Sequence, residues 1–302
     1  YITAQSIQVL EGVVIAQSNA AAAFADLQGV VVLTNRLSRE LGTLETDETT
    51  ATTTATSTPP TYAQRVLLFS LVTCLTVVFH QESNPTTNPA TAGTNNNPTG
   101  SNQLRQPSLT KAIISLLQHV PSYGGHLASL VATLLGDILN HDPHVVHYVH
   151  ESGIAQAFFN MVQGNISFLG APPPSEASTS PILPSVPELI MAIPNVLAAL
   201  ALTEDGAKAV KEANPFPALI SLFYNPQYAM PASRCLLNEL TAIVGTGLEE
   251  IMRHVEGVKP LIMKAIVEAM NTVADMGNEL QQKEYSVTER GLSPNPELEL
   301  QR

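Results

Sequence analysis

One phrase, written four times along the chain, constrains this sequence more than any other feature. It runs as an apolar helix, a short break, a small helix, a glycine-like stop and a further apolar helix. The stops fall at Gly29 (AFADLQG-VVVLTNRL), Gly153 (VVHYVHESG-IAQAFFNMV), Asn214 (AKAVKEAN-PFPALISLF) and Gly257 (EEIMRHVEG-VKPLIMKAIVEAM). Longer apolar helices precede three of them: LASLVATLLGDILN, IPNVLAALAL and ASRCLLNELTAIV. A unit that cannot bury its apolar face alone, and so stacks on copies of itself, leaves this trace. No stretch sustains the period-two alternation of a strand; Val30–Val32 is the only candidate, and LTNRLSREL continues it at helical period. The expected fold class is therefore all-α, a helical-repeat solenoid.

Three biased stretches interrupt the pattern and set the domain organisation. Residues 43–61 are Thr-rich and close on Pro-Pro, residues 82–103 are rich in Asn, Pro and Thr, and residues 164–187 carry APPPSEASTSP. None holds enough apolar surface to offset the entropy of ordering it, so all three are expected as disordered insertions. Between them lie a first repeat (1–42), one buried helix (62–81) and two blocks of repeats (104–163 and 188–276). Residues 277–302 are expected as a linker or tail, because the apolar period fades after Gly277. Asn140-His141-Asp142-Pro143, Thr203-Glu204-Asp205-Gly206 and Gly245-Thr246-Gly247 are expected turns within their units.

Charge and cysteine content narrow the partners. The net charge is −12 without a Lys/Arg cluster, which argues against nucleic acid and anionic membrane as partners. The most apolar run, Val66–Phe79, is shorter than the roughly 20 helical residues that span a hydrocarbon core, and is expected to be a buried helix. Cys74 and Cys235 sit inside apolar helical runs and offer neither a disulfide framework nor a CxxC clamp, as in a reducing cytoplasm or nucleus. The opening YITAQSIQVL has no basic segment ahead of an apolar one, so no secretory leader is expected. Its start in mid-helix leads us to expect a piece of a longer chain.

Several constellations invite a chemical reading. His141, His144, His147 and His150 recur every third residue, but each such step turns about 300° on a helix, so the row drifts round the axis. Surface histidines, one or two lodged beside the next repeat, fit better than a metal site, which needs three or four converging ligands. A Cys235–His254 pair lacks the electropositive setting of a thiolate nucleophile, since Leu236, Leu237 and Leu240 mark a core stripe around the cysteine. Glu204-Asp205 and Glu249-Glu250 are expected at helix N-termini, where carboxylates oppose the helix dipole. Gly124-Gly125 and Gly245-Thr246-Gly247 lack both the Lys-Ser/Thr and the preceding strand of a phosphate loop. We therefore expect no catalytic residue, metal or cofactor in this segment.

The unit helix–turn–short helix–Gly–helix resembles an armadillo repeat. More specifically, the block from Tyr123 to Asn225 resembles the domain of unknown function 913 of giant HECT-type E3 ubiquitin ligases. The resemblance is carried by Tyr123-Gly124, by Asp137-Ile138-Leu139-Asn140-His141-Asp142-Pro143, by Glu151-Ser152-Gly153 with Ala157-Phe158, and by Pro184-Ser185 through Gly206. Gly29, Arg36 and Glu40 similarly match the family's opening helix pair. The insertions and the extra residue in PSVPEL depart from the family pattern. A HECT module with its cysteine has no counterpart in these residues.

This resemblance implies a non-catalytic segment that helps build the substrate-receiving scaffold of a ubiquitin ligase. Its expected partners are the ligase's protein substrates and the rest of its own chain, with no small-molecule substrate. In armadillo arrays the third helix of each repeat lines a groove, which makes Arg36, Arg39 and Glu40 on one such helix, and Lys259, Lys264 and Glu268 on another, the candidate protein-binding residues. The alternative is an independent armadillo adaptor with no link to ubiquitin. Import adaptors of that kind hold peptides on a ladder of Trp and Asn, and this chain contains no Trp. An enzyme acting through the histidine row is a third class, which bound metal would reveal.

Overall fold

A computed structural model describes residues 2–17, 20–45, 60–82, 104–167, 169, 186–225 and 237–289, and the structural statements below concern these. The centres of all three insertions, the segment holding Arg234 and Cys235, and residues 290–302 lie outside them. Among the described residues there are helices and no strand.

The helices stack in two layers, as an all-α solenoid. One layer comprises α1 (Ile2–Ala16), α4 (Tyr62–Glu82), α7 (Gly125–His141), α10 (Pro187–Leu200) and α13 (Leu237–His254), each packed on the next. The other comprises α3 (Gly29–Glu45), α5 (Pro107–Gln118), α9 (Ile154–Val162), α12 (Phe216–Ser221) and α14 (Lys259–Glu289). Within it, α3 packs on α5, α5 on α9, and α12 on α14. Short helices join the layers: α2 (Ala20–Asp26), α6 (Val120–Tyr123), α8 (Val145–Glu151) and α11 (Glu204–Ala213). One continuous apolar core runs between the layers from Ile7 to Ala265, with Phe158 and Phe216 among its largest fully buried side chains.

Local chemistry places the helix boundaries. Gly153, Asn214 and Gly257 all adopt positive φ (86°, 42° and 81°), the left-handed geometry that ends one helix and redirects the chain into the next. The first copy differs by one residue. There Gln28 takes the left-handed position (φ 57°), while Gly29 opens α3. Gly29 is required for another reason: a Cβ at that position would run into the Phe24 ring. Pro107 and Pro187 occupy the first positions of α5 and α10, where a missing N–H costs nothing. Thr203 caps α11, its Oγ1 accepting from the Gly206 N–H at 3.2 Å, and Glu204 and Asp205 fill the acidic first turn.

Hydrogen bonds between neighbouring elements fix the stacking register. The Ser38 hydroxyl donates to the Ser108 carbonyl at 2.9 Å, tying α3 to α5, and Gln163 Nε2 donates to the Ala213 carbonyl at 2.6 Å, tying α9 to α11. Thr110 Oγ1 lies 2.8 Å from both the Leu104 carbonyl and the Tyr148 hydroxyl, linking α5 to α8.

Beyond the stop at Gly29, the structure corrects the sequence reading in four places. Gly245-Thr246-Gly247 is not a turn: α13 runs through it to His254, and the chain turns at residues 255–258. Glu249 accordingly opens no helix but bonds Arg253 one turn on, at 2.6 Å. Helix α14 continues past Gly277 to Glu289, since residues 278–289 contain good helix formers and no proline. At the start of the third insertion, Ile166 and Leu169 are buried, the Ser167 N–H donates to the Gln118 carbonyl, and the Leu169 N–H donates to the Ser122 hydroxyl. That anchor continues the fold beyond Gly164.

The fourth concerns only the length of the helix around the apolar run 66–79, whose expected burial holds. Helix α4 is longer than that run, and Tyr62–His80 is long and apolar enough to cross a membrane by length and composition. Its Leu68, Leu71, Cys74, Leu75 and Val78 are nevertheless fully buried in the core, and it packs on α1, α3 and α7. It serves here as a core helix of the stack.

Candidate functional site

A concavity lies where α10 and α13 of the first layer meet. Pro194, inside α10, comes so close to α13 that a Cβ on Gly247 would sit 2.5 Å from the proline Cβ. Several neighbouring side chains are small: Ala198 on α10 and Ala201 just past its end, Ala242 and Thr246 on α13. Close approach at the floor and small residues on the flanks leave an open furrow of about 650 Å³. Buried Ile251 and Val255 lie beneath it, exposed Leu202 and Ile243 stand at its edges, and Glu250, His254 and Asn195 supply its polar groups. Asn195 also accepts a 3.4 Å hydrogen bond from Asn140 Nδ2, joining the furrow to α7.

No sequence signal pointed to this furrow. It is formed by residues about fifty positions apart, each unremarkable alone. A second, smaller hollow of about 380 Å³ lies between α4 and α7, lined by Arg65, Phe69, Tyr123 and Leu127 among others.

The residues singled out from sequence fall into two separate sets. Arg36, Arg39 and Glu40 lie on α3, which packs on α2, α4 and α5; Lys259, Lys264 and Glu268 lie on α14, which packs on α12 and α13. The sets occupy opposite ends of the second layer and do not converge. Arg36 pairs with Glu40 at 2.5 Å and Lys264 with Glu268 at 3.7 Å, both as i,i+4 pairs within one helix. Such pairs contribute about 0.3–0.5 kcal/mol to a helix. Arg39 and Lys259 are exposed.

The histidine row divides by burial. His141, His144 and His147 are exposed, and His147 lies 3.3 Å from Glu151. His150 is half-buried, and its Nε2 has no hydrogen-bond partner. Burial holds its pKa below the usual imidazole value, against the pull of Asp205, while His147 adds to the depression. Among the described residues, no three His, Cys, Asp or Glu side chains converge as metal ligands would. Cys74 is fully buried; desolvation, helped by Glu11, pushes its thiol up to about 11, so it is a poor nucleophile at neutral pH. Burial likewise raises the Asp137 carboxyl, opposed by His80 at 3.7 Å and by His141.

A two-layered stack of helices with a furrow on its surface defines a class: an all-α helical-repeat protein. The chain belongs to the family called Domain of Unknown Function (DUF913), whose profile matches residues 4–290. Similar curated proteins include E3 ubiquitin-protein ligase UPL1 of Arabidopsis thaliana, 23% identical over 290 residues and 92% of this chain. E3 ubiquitin-protein ligase ptr1 of Schizosaccharomyces pombe is 28% identical over 171 residues, 57% of the chain. E3 ubiquitin-protein ligase HUWE1 of Mus musculus is 20% identical over 185 residues, 60% of the chain. The matches span 7%, 5% and 4% of the lengths of these three relatives. A crystal structure of an engineered protein is similar at 14% identity and a TM-score of 0.41 over 90% of each chain, too loose a likeness to bear on the fold.

Proposed function

We propose that this chain is a non-catalytic, armadillo-like scaffold segment of a HECT-type E3 ubiquitin ligase, and that its surfaces recruit the ligase's protein substrates. The observation that carries the reading is the family match across 4–290, together with relatives named as E3 ubiquitin-protein ligases. The site chemistry agrees with a non-catalytic role. Ligases of this type pass ubiquitin through a cysteine thioester, and the described thiol, Cys74, is buried and held protonated. What the fold offers instead is extended surface on stacked repeats, where affinity comes from a few anchoring contacts.

The parent protein tests this reading. Isolated from its source with an antibody against this chain, and supplied with E1, E2, ATP and ubiquitin, it should form a thiol-sensitive ubiquitin adduct. The 302-residue chain alone should form none. A parent that carries no HECT module and accepts no ubiquitin contradicts the ligase assignment and leaves the solenoid standing.

A further inference from the structure

We propose that the furrow between α10 and α13 is a docking site for a short amphipathic helix whose apolar stripe is bordered by lysine or arginine. This rests on the recruiting role proposed above and adds the chemistry of what is recruited. Three properties of the furrow lead to it.

The first is uncovered apolar surface around a shaped depression. Ile243 is 45% and Leu202 56% exposed, although they flank a floor that includes Pro194, Ile251 and Val255, all buried. A leucine-sized side chain fits above Ala198, Ala242 and Gly247, where the two helices carry no bulk of their own. Burying these edges removes apolar area from water at roughly 25 cal/mol per Å².

The second is charge. Helices α10 and α13 carry Glu188, Glu239, Glu249 and Glu250 against one cation, Arg253, and Arg253 is engaged by Glu249 at 2.6 Å. Glu250 lines the furrow. Glu239 lies three residues before Ala242, and Glu188 three before Met191, so each extends a furrow-lining face by one helical turn. His126 is 4.0 Å from Glu188 and His254 lines the furrow; protonation of either would weaken this field. An acidic or phosphorylated segment is repelled here, and a basic one attracted.

The third is the scarcity of backbone partners. An extended peptide leaves its N–H and C=O groups in need of hydrogen bonds, which a sheet edge supplies and a helix pair does not. The furrow's amides are few, and Asn195 is already bonded to Asn140. A helix satisfies its own backbone and presents only side chains. Anchors at i, i+3 or i+4, and i+7 suit a trough between two helices.

The test uses the 302-residue chain with isotope-labelled Ile and Met methyl groups and a pair of synthetic amphipathic helices. Both probes share one leucine stripe; one is flanked by Lys and the other by Glu. The Lys-flanked helix should bind saturably and shift the Ile243 and Met191 methyl signals. Ile243→Asp, at a position 45% exposed, and Ala198→Gln, at a partly buried one, should each weaken binding at least tenfold with the circular dichroism spectrum unchanged. The double variant Glu239→Gln/Glu250→Gln should weaken it several-fold and flatten its salt dependence. Equal binding of the Glu-flanked helix, or affinity indifferent to Ile243→Asp and Ala198→Gln, overturns the proposal. Binding that leaves both methyl signals unmoved refutes the furrow while sparing the recruiting role. Loss of that role is read separately, on the parent ligase.

Discussion

Two glycines, two residues apart on α13, give matched substitutions with opposite expected signs. A Cβ on Gly245 meets nothing within 4 Å, whereas one on Gly247 would lie 2.5 Å from the Pro194 Cβ. Replacing a mid-helix glycine by alanine stabilises by about 1 kcal/mol, because alanine loses less backbone freedom on folding. Gly245→Ala should show that gain undiminished. Gly247→Ala gains the same propensity term, but its new contact is about 1–1.5 Å short of the roughly 3.5–4.0 Å at which carbon atoms attract. The proline ring cannot swing aside, so α13 must retreat from α10, at the roughly 1–3 kcal/mol typical of overpacking.

Gly247→Ala should therefore come out between neutral and about 2 kcal/mol destabilised. The gap between the two variants is then about 1–3 kcal/mol. Urea titration followed by helical circular dichroism measures it, which suits a chain without tryptophan. A Gly247→Ala midpoint at or above that of Gly245→Ala would refute the close approach. A Gly245→Ala midpoint below the parent chain's would mean that the Gly-Thr-Gly segment needs glycine conformations and is a turn after all.

Other outcomes follow from the buried groups. His150 has a depressed folded pKa, so its contribution is fully present above the unfolded value of about 6.5 and is lost as pH falls through the lower folded value. Between pH 7.5 and 5.5 the melting temperature of the parent chain should fall more than that of His150→Gln; parallel curves would contradict this. Asp137 acts in the opposite sense, since burial raises its pKa and so gives stability at acid pH that is lost as pH rises through the folded value. Cys74, pushed up to about 11, is thiolate in about one molecule in a thousand at pH 8. In a Cys235→Ser background it should resist a thiol reagent until denaturant is added, and rapid labelling of the folded chain would exclude its burial.

Much of the fold was legible because its punctuation is local. Gly153, Asn214 and Gly257 signal helix ends since the left-handed conformation is open to glycine and, at small cost, to asparagine. The same logic misplaces the stop at Gly29, which was needed for room beside Phe24 rather than for its φ. It also turned Gly245-Thr246-Gly247 into a break, when the glycine at 247 answers to Pro194 on another helix. Distant contact of this kind leaves no mark at either position alone. The furrow was invisible for that reason, because Ala198 and Ala242 acquire meaning only when α10 lies against α13. Ile166 and Leu169 were overlooked as the first residues of a polar insertion, although they pack into the core. Individual charges are easy to pick from sequence, but the distance between them is not: Arg36 and Lys264 lie on the first and last helices of the second layer.

Scaffold and catalysis, separated in the proposed function, are read apart by one measurement on the full-length parent protein. The full-length protein is compared with a version lacking residues 1–302, both supplied with E1, E2, ATP and ubiquitin. Two quantities are followed: the ubiquitin thioester on the ligase, and transfer to a protein that co-purifies with it. The deletion should leave thioester formation intact and sharply lower transfer. Loss of the thioester itself, or transfer that proceeds undiminished without this segment, would contradict the proposed scaffold role.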